Sequence, residues 1–345
     1  MHPVGTEEGS IMREQQLLEK LVSARGVSGY EREVRELIEK EAAPFADEMM
    51  TDAIGNLIVR KKGKGGGKKI MFAAHMDEIG FMVKKIEKDG RLKVRSLGWN
   101  WTGSAYNERV QFRNGRNGVV SCEGWIEDVK NDAGKLYVDI GATSDEDAKK
   151  YVKLGDVCGY FGPWMELVND RVCARSLDNR IGCYQLLEAL KEHDGESPND
   201  VYYVFTVQEE LGCRGSQVAA ERIAPDIGIA VDISPAHDYP CDLEGSNEVD
   251  GGIGIKISDP SVICDEEVVE AMERCCEEKQ IKCQREVIDK GGTDASSMNL
   301  SGMGVKAGGV VTVVRYPHSQ SAVASKKDIE AGVDLIKAIA AYSFS

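Results

Sequence analysis

Six residues of this chain have the types and placement to hold metal ions: His75, Asp178, Glu209, Glu210, Asp232 and His318. Each follows an apolar or strand-like segment. Residues 69–74 run into His75-Met76-Asp77-Glu78, 171–176 are followed by Asp178, and 201–207 by Glu209-Glu210. Residues 227–231 lead to Asp232, and 310–314 to Arg315-Tyr316-Pro317-His318. In open α/β sheets the ligand crevice lies beyond the carboxyl ends of the strands, so residues distant in sequence can meet there. Singly, each has an ordinary reading: an Asp after a strand caps a helix, a His there is a hydrogen-bonded structural residue, and an adjacent Glu pair is a solvated loop. Jointly they do not. Four carboxylates in one crevice would cost several kcal/mol in desolvation and mutual repulsion, so their convergence implies bound cations. Two imidazoles with carboxylates and no thiolate suit Zn, Co or Mn rather than an all-oxygen Ca site or a sulfur-rich structural zinc site, and affinity order puts zinc first.

The elements needed to position these groups are legible around them. Leu17, Leu18, Leu21 and Val22, then Val34, Leu37 and Ile38, predict two N-terminal helices, with Ser28 and Glu31 placed to form a capping box for the second. Strand patterns follow at 56–61 and 69–74. The glycine run 63–67 between them lacks the Lys-Ser/Thr ending of a phosphate loop and reads as a hairpin turn. From about Phe81 to Val172 short β-type runs alternate with turn signals at Asp89-Gly90, Asn117-Gly118 and Asn169-Asp170, with one brief helix near 144–151. From Ser176 onward helices (180–192, 265–279, 327–341) alternate with apolar strands (201–207, 227–231, 310–314), the pattern of a mostly parallel sheet with helices on its faces. Ile329, Val333, Ile336 and Ala340 trace one face of the last helix, which Ser325 and Asp328 would cap.

At 345 residues the chain exceeds the usual single domain, and 42% hydrophobic with 29% charged residues is ordinary globular composition. No apolar run approaches the ~20 residues that would span a bilayer. Residues 1–10 carry Glu7 and Glu8 and do not read as a secretion signal, which makes the cytoplasm the expected location. The ten cysteines are scattered with no CxxC pair and read as reduced core residues; in the helical pattern around Cys275-Cys276 one would face the core and the other the surface. A formal charge of −15 disfavours nucleic acid or an anionic membrane as partner and is compatible with a cation site.

At the candidate ligands the sequence resembles the M42 family of dinuclear metallo-aminopeptidases, the tetrahedral aminopeptidases. The resemblance runs from about Gly26 to Ala341. Seven ordered blocks carry it: GVSGYEREVRELI from Gly26, AAHMDEIGFMV from Ala73, SLDNRIGCY from Ser176, TVQEELGCRGS from Thr206, AVDIS from Ala230, GGTDA from Gly291 and RYPHS from Arg315. Carried over residue by residue, the resemblance implies one metal on His75, Asp178 and Asp232 and a second on Asp178, Glu210 and His318. Asp178 would bridge them, Glu209 would be the general base and Asp77 the carboxylate that orients His75. Thr293 and Asp294 would line the substrate pocket. Where relatives usually carry an aliphatic residue this chain has Cys213, and the loop after Asp232 bears His237, read as an exposed loop histidine.

The implied fold is a three-layer α/β catalytic domain of zinc-peptidase type, residues 1–76 and 165–345, interrupted by an all-β insert, 77–164, that makes dimer contacts. Dimers would build a hollow dodecamer. The insert lacks, between Val120 and Leu136, a longer loop with a Pro-His pair seen in many relatives, and carries Trp99, Trp101 and Trp125. The implied activity is metal-dependent removal of N-terminal residues from peptide substrates. A related dinuclear carboxypeptidase or deacylase is the competing enzymatic reading. A catalytically silent oligomeric scaffold is the non-enzymatic one, and all six matching positions being intact argues against it.

Overall fold

Four strands, Asp200–Thr206, Lys69–His75, Ile227–Pro235 and Lys306–Arg315, lie side by side and parallel. They form the centre of a twelve-stranded sheet in a computed structural model that describes residues 11–129, 132–241 and 243–344. The N-terminal stretch 1–10 lies outside the described residues. Near-continuous apolar runs suit these strands because both faces of the sheet are covered. Ile70, Phe72 and Ala74 join one core with Ile181, Tyr184 and Leu187 of the helix Leu177–Lys191. Met71 and Ala73, pointing the other way, pack with Ala219, Ala220 and Ile223 of the helix Arg214–Ile223. The sheet continues from Asp200–Thr206 through Leu57–Lys61 to Glu48–Thr51 on one side. On the other it runs from Lys306–Arg315 through Ala322–Ser325 and Arg171–Ala174 to Met165–Leu167.

Between the strand ending at His75 and Met165 the chain leaves this sheet and closes a six-stranded antiparallel barrel. Its order is Gly80–Ile86, Leu92–Leu97, Leu136–Asp139, Asn117–Cys122, Arg109–Phe112 and Val157–Tyr160. It has its own core, in which Phe81, Val94, Val110, Phe112 and Val138 are buried. The turn at Asn169-Asp170 lies outside the barrel, joining Met165–Leu167 to Arg171–Ala174 in the large sheet. Asn117-Gly118 is strand; the turn falls earlier, where Phe112 N–H bonds to Arg116 O and Gly115 has φ 83°.

Local rules held at helix ends and failed where a distant partner competed. Asp265 and Ser325 cap the helices Glu266–Lys279 and Lys326–Ala341 with their side chains. Asp328, expected to share the second cap, instead accepts from Asp250 N–H at 2.7 Å and Gly252 N–H at 3.0 Å. Ser28 caps nothing: its hydroxyl donates to Asp77 Oδ2 at 2.6 Å, and the helix Arg32–Ala42 starts without a side-chain cap. The glycines 63–67 do not form a hairpin, because Asp200–Thr206 is inserted between the two strands they join. Gly63 and Gly67 are small for another reason: a Cβ on Gly63 would sit 2.4 Å from Asn199 O, and one on Gly67 2.5 Å from Asn199 Oδ1. Cys275 and Cys276 are both buried, since the helix Glu266–Lys279 has neighbours on more than one side.

Arg180 ties the two halves of the site-bearing chain together. Fully buried, it donates to Met76 O at 3.0 Å and Ala24 O at 2.8 Å, also bonds Leu21 O, and lies 3.7 Å from Glu78. Arg180→Met would leave three carbonyls and part of the charge on Glu78 uncompensated. The expected result is a loss of about 3–5 kcal/mol in unfolding free energy, read by urea denaturation of wild type and variant. A change under about 1 kcal/mol would show that the guanidinium is dispensable.

Candidate active site

His75 is the last residue of its strand, and parallel pairing puts Thr206 directly beside it, so the Glu209-Glu210 turn starts at the same edge. Asp232 sits within the neighbouring parallel strand, and His318 lies three residues beyond Lys306–Arg315. The six residues singled out from the sequence therefore meet. His75 Nε2 lies 3.1 Å from Asp178 Oδ1, 3.6 Å from Asp232 Oδ1 and 3.9 Å from Glu209 Oε2. His318 Nε2 lies 3.0 Å from Asp178 Oδ2 and 3.5 Å from Glu210 Oε1. Asp178 stands between the imidazoles, one oxygen toward each.

The groups behind this cluster fix its orientation. Asp77 is fully buried; its carboxylate accepts from Ser28 Oγ, from Glu209 N–H at 2.9 Å and from Glu210 N–H at 3.2 Å. It thus ties the Glu209-Glu210 turn to the His75 strand. The nearest partner of His75 Nδ1 is the Asp77 carbonyl, at 3.0 Å, with the carboxylate at 3.5 Å. A proton on Nδ1 leaves Nε2 as the lone-pair donor into the cluster. His318 Nδ1 is held the same way, 2.8 Å from Trp99 O. Trp99 belongs to the segment after a barrel strand, and nothing in the sequence pattern ties it to a residue 219 positions away. Gly98 was equally illegible: at φ 73° it passes so close that a Cβ would meet Glu210 Oε2 at 2.8 Å.

Electrostatically the acids oppose one another. Burial raises the Glu209 carboxyl well above its ordinary range, with Asp232 and Glu210 adding to the effect; burial likewise pushes Glu210 up to about 8. Burial also raises Asp232. For Asp178 burial works against ionisation, but His318 and His75 outweigh it and hold its carboxyl well below the ordinary value. His318 is driven up to about 10: burial opposes its charge, and Glu210 and Asp178 overcome that. Perturbations of this size in a cleft mark a functional site. The turns carrying the cluster are conformationally strained as well. Ser176, Gln208, Cys213, Tyr316 and His318 all adopt left-handed backbone conformations with φ between 52° and 55°.

A cavity of about 370 Å³ opens from the cluster. Thr293 lines it. Asp294, expected to do so, is 1% exposed and is held by Thr206 Oγ1 at 2.6 Å and Ser216 Oγ at 2.5 Å. Cys213 is half-buried, and its single S–H has two acceptors within reach, Glu209 Oε1 at 3.3 Å and Thr293 O at 3.4 Å. His237 is neither exposed nor part of the cluster: half-buried, its Nδ1 accepts from Asn247 N–H at 3.1 Å.

Imidazoles and opposed carboxylates gathered beyond the ends of parallel strands, beside a cavity, are the make-up of a metal-assisted hydrolase. A family model described as M42 glutamyl aminopeptidase matches residues 55–335, and the chain belongs to this M42 peptidase family: it is a peptide hydrolase, an aminopeptidase. A relative from Acetivibrio thermocellus is 43% identical over 321 residues, 93% of this chain and 96% of its own. The lysyl aminopeptidase of Pyrococcus furiosus is 33% identical over 94% of this chain and 96% of its own. Among solved structures, the TET1 peptidase of Pyrococcus horikoshii, described as assembling into a tetrahedron or a large octahedral shell, matches with a TM-score of 0.83 and 32% identity. That match covers 96% of this chain and 99% of that one.

Proposed function

We propose that the chain releases N-terminal residues from peptides with the help of two divalent metal ions, zinc first by affinity. The observation that carries this reading is Asp178, whose two oxygens lie 3.1 and 3.0 Å from the Nε2 atoms of His75 and His318. The donor set fits a metal pair. His75, Asp178 and Asp232 would hold one ion, and Asp178, Glu210 and His318 the other; each trio brings ligand atoms within 4.8 Å of one another. Cations there would also relieve the repulsion that raises Glu209, Glu210 and Asp232. When bound, such a pair polarises the scissile carbonyl and makes water acidic enough to ionise near neutral pH. In this reading Glu209 is the acid outside both trios; its carboxylate also comes within 4.8 Å of ligand atoms of His75 and Glu210 and of Cys213 and Asp294. Its carboxylate takes a proton from the attacking water and returns it to the leaving amine, while Asp77 fixes the backbone of the turn that presents it.

Residues 1–76 and 165–345 make up the catalytic domain in this reading, and 77–164 the insert through which two copies pair. Support for the pairing comes from Trp125, which is 75% exposed on that insert, and from the shells described for the TET1 peptidase. Assembly would proceed from dimer to dodecamer. The ten cysteines are all free thiols, in keeping with a cytoplasmic place of work. Among the described residues no helix is long and apolar enough to cross a membrane.

The test is a panel of aminoacyl chromogenic substrates given to chelated protein before and after Zn, Co or Mn is added. Chelated protein should be inactive, and at least one metal should restore cleavage. Full activity of thoroughly chelated protein would sink the metal-dependent reading.

A further inference from the structure

The cavity beside the metal-ligand cluster has a floor whose charges are already spent on one another. Lys256 lies there, fully buried, and an ammonium group has three N–H donors. Glu286 Oε1 and Oε2 take two of them, at 3.0 and 2.9 Å, and Asp259 Oδ2 lies 3.2 Å from the ammonium as an ion-pair partner without a hydrogen bond. Neither carboxylate is free to turn outward. Ser234 Oγ also donates to Glu286 Oε1 at 2.7 Å, and Ser261 N–H and Oγ both bind Asp259 Oδ1, at 2.8 and 2.6 Å. At the mouth stands exposed Lys290. The buried floor, Lys256 against Glu286 and Asp259, carries a net charge of −1, and only Lys290 at the mouth brings these four groups to zero. The walls are apolar: Trp99 and Trp101 with ring centroids 5.5 Å apart, and Ile233, Leu243 and Ile288.

We infer that this cavity selects a large, uncharged, apolar N-terminal side chain (leucine, methionine or phenylalanine) and discriminates against acidic and basic ones. An acidic side chain would leave water for a floor that already holds two carboxylates against one ammonium, and an unpaired buried charge is costly. A basic side chain finds Lys256 on the floor, in front of Glu286 and Asp259, and Lys290 at the mouth, so both lysines that line this end repel it. An apolar side chain loses nothing by desolvation and gains contact with the indole and aliphatic walls. The size also fits, because ligand cavities of a few hundred Å³ accommodate groups of this kind.

This inference rests on the aminopeptidase reading above, and one experiment separates the two. Metal-loaded full-length protein is assayed for kcat/KM on Leu-, Met-, Phe-, Glu- and Lys-p-nitroanilide. The expected result is at least a tenfold preference for the three apolar substrates over both charged ones. Cleavage of Glu- or Lys-p-nitroanilide as fast as the leucyl compound would overturn the selectivity while leaving the activity standing. Cleavage of none would overturn the activity reading and the selectivity with it. Glu286→Gln, which frees donors of Lys256, should lower the Leu/Glu ratio at least tenfold. If that buried variant does not fold, Leu243→Arg on the half-buried wall supplies a free cation and should move the ratio the same way. An unchanged ratio in a folded variant contradicts the role assigned to the floor.

Discussion

Glu209→Gln should lower kcat on a good aminoacyl substrate by on the order of 10²–10⁴-fold, the range that positioned proton transfer contributes. The amide is nearly the same size as the acid and can still accept from Cys213 Sγ, 3.3 Å away, so the cavity keeps its shape. It cannot take a proton from water. With Glu209 outside both proposed ligand trios, metal content should remain at the wild-type level, and KM should change little. Turnover and elemental analysis of the same preparation are the two readings needed. Near-normal turnover would remove Glu209 from the proton path; loss of metal together with turnover would instead make it a ligand.

A larger effect is expected from Asp178→Asn. Its two oxygens face His75 and His318, so one substitution weakens both trios at once. An amide offers one neutral oxygen where the carboxylate offers two charged ones, and its NH₂ group cannot coordinate a cation. Metal content should fall below one ion per chain. Activity should drop by more than about 10³-fold, because the charge stabilisation a metal supplies amounts to several kcal/mol. Zinc should raise the melting temperature of the wild type by binding only the folded state, and that rise should vanish in the variant. A variant that retains two ions would show that Asp178 does not bridge them.

The contrast between these two acids shows how far sequence reasoning reached. Glu209 and Glu210 are adjacent, and as residue types they are interchangeable. Their different surroundings become visible only where the turn after Asp200–Thr206 points Glu210 toward His318 and Glu209 toward His75 and Cys213. The positions of the clustered residues were legible because each follows a run of apolar strand residues, and parallel strands deliver their carboxyl ends to one edge. Trp99 and Gly98 were not legible. They reach the cluster from the barrel side, by a carbonyl and by the absence of a side chain, and neither feature has a sequence signature.

Local expectations failed wherever a residue had a choice of partner. Ser28 could cap the next helix or bond Asp77, and the buried carboxylate won, because a buried charge left unbonded costs more than a missing helix cap. The glycines 63–67 read as a hairpin because the two strands they join are consecutive in sequence; a strand 140 residues later in the chain occupies the place between them. Asp294 matched a pocket-lining motif yet is held behind the pocket by Thr206 and Ser216.

By itself the amino-acid sequence determined which groups could do chemistry and the alternation that lays strands in parallel. These depend on residue type and short-range periodicity, which the sequence states directly. The tertiary structure alone decided which acid faces which imidazole, which hydroxyl serves a charge rather than a helix end, and that Lys256 on the cavity floor is paired with Glu286 and Asp259. Those outcomes depend on distances of about 3 Å between residues tens to hundreds of positions apart, and such distances exist only after the sheet has closed around them.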